Sequence, residues 1–81
     1  MSQGTQNVIR RDLFAVQKYQ DVGSKAEYVI ERIFRNYESA NKYRKGEEAF
    51  KRQFPLMPIK IIHPNQAVVD MYVLCGNEIW E

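Results

Sequence analysis

The chain has 81 residues, 44% hydrophobic and 12% aromatic, with 12 Lys and Arg against 10 Asp and Glu for a formal charge of +2. That length holds one domain with one core of modest size, and the positive excess is too small to imply a polyanionic partner by itself. The single Cys75 excludes an internal disulfide, and together with the single His63 it falls short of the four Cys or His ligands of a structural zinc site.

Residues 1–7 are polar and without periodicity, and read as a disordered tail ahead of one domain spanning 8–81. They lack the apolar run of a signal peptide or membrane span, so the expected location is the cytoplasm, with no membrane partner. From Val8 to Gln20, Leu13, Phe14, Ala15, Val16 and Tyr19 suit a strand, and Asp21-Val22-Gly23-Ser24 supplies a turn. Glu27 to Phe34 is a second strand in a hairpin with the first, its loop longer than a tight two-residue turn. Uniform alternation puts Tyr28, Ile30 and Phe34 on one face and Val29, Glu31 and Ile33 on the other.

At Phe34 the two-residue rhythm stops, and a helical rhythm begins at Tyr37. Asn36 is the expected N-cap, with Glu38 favourably placed in the first turn. On a continuous helix Tyr37, Ala40, Tyr43, Phe50 and Phe54 share a broad face, with Lys42, Lys45, Glu48 and Arg52 away from its centre. Glu47 falls inside the apolar stripe, where an unpaired carboxylate is costly. A break near Gly46 relieves it; the alternative is an unbroken helix with Glu47 paired to an Arg or a Tyr hydroxyl.

Pro55 and Pro58 stop the helix. Ile59 to His63 is a third strand, and Pro64-Asn65 a turn. Ala67 to Cys75 is an apolar fourth strand, and Gly76-Asn77 a hairpin turn into a last strand at Glu78-Ile79-Trp80. The expected fold is α+β in the order ββαβββ, an antiparallel sheet of four to five strands with one helical segment packed on one face.

Chemistry is sparse in this pattern. His63 has no nucleophile or carboxylate with a reason to converge on it, and Cys75, closing an apolar strand, reads as a small buried hydrophobe. The scattered glycines form no phosphate-cradling loop. The expectation is therefore a non-enzymatic domain with no catalytic residues, cofactor or metal.

Two binding readings remain. In the first, the chain binds another protein, as an inhibitor, modulator or regulator of a larger one, through Tyr72, Leu74, Ile79 and Trp80, and self-associates as a homodimer through strand four or the C-terminal hairpin. Small viral (phage), mobile-element and accessory proteins share this profile. In the second, the cations Lys42, Arg44, Lys45, Lys51 and Arg52 form a nucleic-acid-binding face, extended by Arg10 and Arg11, or strand-borne Phe14, Tyr19, Tyr28 and Tyr72 stack on bases.

Overall fold

The computed structural model describes residues 8–23, 25–50 and 59–81. Along the chain come β1 (Phe14–Val22), β2 (Lys25–Phe34), α1 (Tyr37–Phe50), β3 (Lys60–Ile62) and α2 (Gln66–Leu74). The strands form one antiparallel sheet in the order β2-β1-β3. The α+β class stands, but among the described residues the order is ββαβα, with three strands and two helices. The expected tail and the Pro55 and Pro58 helix stop lie outside those residues.

β1 and β2 pair from Phe14–Phe34 down to Val22–Lys25, so the hairpin is tighter than its sequence suggested. Gly23 at φ 68° makes this turn feasible, since a side chain is disfavoured in that left-handed region. The register slips once: Val16 faces Arg32 and Gln17 faces Ile30, leaving Glu31 as the extra residue of a β-bulge. As a result Ile30 packs with Ile33 in one cluster, while Phe34 belongs to the other. Uniform alternation along β2 is thereby corrected.

Successive residues of β1 feed opposite faces of the sheet, Ala15 one cluster and Val16 the other. Val16, Phe34, Ala40 and Ile59 form the layer under α1, joined by Phe14, Tyr43 and Ile61. Leu13, Ala15, Ile33, Val69 and Tyr72 form the layer under α2, joined by Ile30, Ile62 and Ile79. Fully burying an aliphatic side chain such as Leu13, Val16 or Ile33 stabilises the fold by about 1.5–3 kcal/mol.

α1 starts as its sequence indicates: Ser39 N–H donates to Asn36 Oδ1 at 3.2 Å. It does not break at Gly46 but continues to Phe50. Glu47 needs no break because Lys18 Nζ lies 3.8 Å from its Oε1. The carboxylate thus meets a lysine reaching up from β1.

The largest correction is α2. Residues expected as strand four form a helix on the sheet face opposite α1, so both faces are covered and the final hairpin is absent. Asn65 is its N-cap, with Oδ1 accepting from Val68 N–H at 3.0 Å, and Gln66 Nε2 donates to Asp70 Oδ1 one turn on at 2.8 Å. At the other end Gly76 N–H donates to the Val73 carbonyl and Asn77 N–H to the Tyr72 carbonyl. That is the Schellman pattern, with Gly76 at φ 91° as the left-handed residue.

The chain after α2 returns to the outer edge of β2. Trp80 N–H donates to the Ile33 carbonyl, and Arg35 N–H to the Trp80 carbonyl, both at 2.8 Å. One parallel bridge, Phe34 to Trp80, stands where a last strand was expected. This backbone pairing covers one end of an edge that would otherwise be open to another chain.

Candidate interaction surface

α2, Gln-Ala-Val-Val-Asp-Met-Tyr-Val-Leu, is apolar apart from one polar strip, Gln66 and Asp70 one turn apart. Its sheet side is set by Val69 and Tyr72, both buried. At 3.6 residues per turn the opposite side holds Ala67, Met71 and Leu74 together with the exposed Asp70. Met71 is 58% exposed and Leu74 79%, with Val73 flanking them at 49%. A helix with so wide an apolar surface is ordinarily enclosed, yet among the described residues the fold encloses only the side of Val69 and Tyr72.

Beside this face runs a groove of about 430 Å³ lined by Ile30, Ala67, Val68, Met71, Tyr72, Cys75 and Asn77. Cys75 is exposed on its rim, not buried as its sequence suggested. Ile30 forms the opposite wall because the Glu31 bulge turns it toward α2.

The residues named from sequence divide. Tyr72 is a core residue: its hydroxyl accepts from Ile33 N–H at 3.3 Å and donates to the Glu78 carbonyl at 3.0 Å. Ile79 is half-buried against the same cluster. Leu74 is on the exposed face of α2, and Trp80, 45% exposed, is at the β2 edge. Arg32 lies 4.3 Å from the Trp80 ring and 4.8 Å from the Tyr43 ring, a cation held between two aromatic faces. Ala67 and Met71 were missed because the segment was read with a strand period; a helical period places them beside Leu74.

A polar cluster lies on the α1 side of the bulge. Lys18 Nζ is 3.1 Å from Glu31 Oε1, and the Tyr43 hydroxyl donates to Glu31 Oε2 at 3.1 Å. Burial, and then the Glu31 and Glu47 carboxylates, hold the Tyr43 hydroxyl above the usual 10.0 for tyrosine. Lys18, Glu31 and Tyr43 thus join β1, β2 and α1. His63 plays a comparable part: Nδ1–H donates to the Leu13 carbonyl at 3.0 Å and the ring packs on Phe14.

Of the basic residues, Lys42 and Lys45 are exposed on α1, while the Arg44 guanidinium donates to Asn41 Oδ1 at 2.7 Å. Lys51 and Arg52 lie outside the described residues. Tyr19 and Tyr28 meet edge to face with centroids 4.8 Å apart, and Lys60 lies over Tyr28 at 4.6 Å. Phe14 and Tyr72 belong to opposite layers, so the four strand aromatics named for base stacking form no common platform.

Among the described residues no three His, Cys, Asp or Glu side chains gather as metal ligands, and no helix is long and apolar enough to cross a membrane. Comparison with known protein families, curated proteins and solved structures finds no match to this chain.

Proposed function

We propose that this chain acts by binding protein, without catalysis, through the outer face of α2. One observation carries the reading: α2, apolar apart from Gln66 and Asp70, is covered by its own sheet on one side among the described residues, leaving Met71 and Leu74 largely exposed beside a groove. Long aliphatic anchors next to a preformed hollow suit a protein interface. Modulation of a larger protein remains the proposed role for such a domain, and the expected cytoplasmic address belongs to the same proposal.

The test is affinity capture from a nuclease-treated lysate of the source organism, with wild-type chain and Leu74→Glu side by side. Protein captured by the wild type, retained at moderate salt and lost with Leu74→Glu is the expected result. Capture that Leu74→Glu leaves unchanged overturns the reading. Nucleic acid that co-purifies and is shed at moderate salt would favour the basic face of α1 instead.

A further inference from the structure

The strand order β2-β1-β3 leaves β2 at the edge of the sheet, and with 10 residues it is the long edge, against 3 in β3. Val22 and Lys25 close a two-residue loop, so they exchange hydrogen bonds, and so in turn do Gln20 with Glu27 and Lys18 with Val29. Ile30, the next residue, therefore turns its N–H and carbonyl away from β1. Beyond the bulge Ile33 does the same: its N–H donates to the Tyr72 hydroxyl and its carbonyl accepts from Trp80 N–H. Among the described residues the outer edge pairs with extended backbone at Trp80, while the two backbone groups of Ile30 have no partner there.

The groove lies beside this open stretch. It follows α2 from Ala67 to Cys75 and Asn77, and its sheet wall is Ile30. At 3.6 residues per turn Val68, Met71, Tyr72 and Cys75 form one flank of the helix, and Gln66 and Asp70, bonded to each other, lie on the other. The helical wall of the groove is thus apolar, and the exposed Asp70 carboxylate is away from it. Tyr72 shows which way this flank faces, since its hydroxyl reaches the outward Ile33 N–H at the β2 edge.

We infer that the partner enters as an extended segment of another protein, added to the outer edge of β2 as an antiparallel strand with an aliphatic residue opposite Ile30. This rests on the reading of α2 as a protein-binding surface. A residue opposite Ile30 in such a pair bonds to both its N–H and its carbonyl, and carries its side chain on the same face of the sheet as Ile30, into the groove beside Met71. Main-chain bonds then supply affinity, and the groove selects the side chain. The edge already takes extended chain at Trp80, so the added strand continues a pairing the fold itself uses, and residues 78–80 set its limit beside Ile33. A helix laid in the groove, its own backbone already bonded, could cover the apolar flank but not engage the two Ile30 groups.

Random peptides of about ten residues, displayed on phage and selected on the full chain, supply the probe. The selected peptide is synthesised and titrated by fluorescence anisotropy, and amide exchange is followed by NMR. The Ile30 amide should exchange fast in the free chain and become protected when the peptide binds. Met71→Glu, at an exposed position and with an unchanged circular dichroism spectrum, should weaken binding about tenfold or more. Asp70→Asn, on the other flank, should not. Methylating the peptide amides one at a time should weaken binding at alternate positions only, because only alternate amides of an added strand face β2; this arm leaves the protein unaltered.

A library that yields no binder, or a bound peptide that neither protects Ile30 nor shows the alternation, overturns strand addition. If capture from lysate still depends on Leu74 in that case, the α2 surface stands and its occupant is a helix or a second copy of the chain. Loss of that capture as well overturns the binding surface.

Discussion

The Tyr72 hydroxyl accepts from the Ile33 amide at 3.3 Å, so a side chain of α2 satisfies a buried backbone donor of β2. The same hydroxyl donates to the Glu78 carbonyl at 3.0 Å, which joins helix, sheet edge and C-terminal segment at one oxygen. Tyr72→Phe keeps the ring but leaves the Ile33 N–H without its acceptor. The expected loss is about 1–3 kcal/mol of unfolding free energy, measured by urea denaturation. An unchanged midpoint would show that this oxygen contributes no net stability.

Gly46 and Gly76 should respond oppositely to alanine. Gly46 lies within α1, and a Cβ there meets nothing within 4 Å, so Gly46→Ala should stabilise by about 0.5–1 kcal/mol. Gly76 has equally open surroundings but sits at φ 91°, so Gly76→Ala should destabilise by about 1–2 kcal/mol. Thermal unfolding of both variants reads the difference. Destabilisation by Gly46→Ala would restore the helix break at that position.

Lys18, with 15% of its side chain exposed, reaches both Glu31 and Glu47. Replacing it by Met removes the cation from beside two partly buried carboxylates and should cost about 1–3 kcal/mol. Adding Glu31→Gln and Glu47→Gln to Lys18→Met should recover most of that loss. A mutant cycle showing simple additivity would mean that the three groups do not act together.

Tyr43 gives the chain an alkaline sensitivity. Its hydroxyl titrates above 10.0 in the fold, raised first by burial, so the folded state keeps a proton that the unfolded state has already released. Stability from this group is complete below about pH 10 and declines as pH rises above it. Denaturation from about pH 8 to about pH 11 should show a shallower decline in Tyr43→Phe than in wild type. Identical slopes would remove Tyr43 as a contributor.

What the chain discloses about itself follows from how many meanings each residue can bear. The hairpin and the start of α1 were legible because alternation, Gly23 and the Asn36 cap point one way. α2 was not, because Gln66 and Asp70 are its only polar residues and mark no clear period, and Val68, Val69 and Val73 suit a strand. Its punctuation is ambiguous too: Pro64-Asn65 serves as a turn or a helix entry, and Gly76-Asn77 as a hairpin turn or a helix exit. Residue type alone singles out Leu74 and Trp80, while their exposure is read only from the structure. That Tyr72 lies in the core, and that Ala67 and Met71 join Leu74, required the helical period.

Glu31 has a particular standing in β2. With it set aside, Ile30 comes directly before Arg32, and plain alternation assigns Ile30 and Ile33 to the α2 layer and Phe34 to the α1 layer, as observed. The apolar pattern of the strand is therefore complete in a chain one residue shorter. Glu31 is surplus to the hydrophobic alternation and is held by its carboxylate, which meets Lys18 and Tyr43. A strand of this sheet thus accommodates a polar contact by lengthening at one point, with no apolar side chain exchanged between its layers.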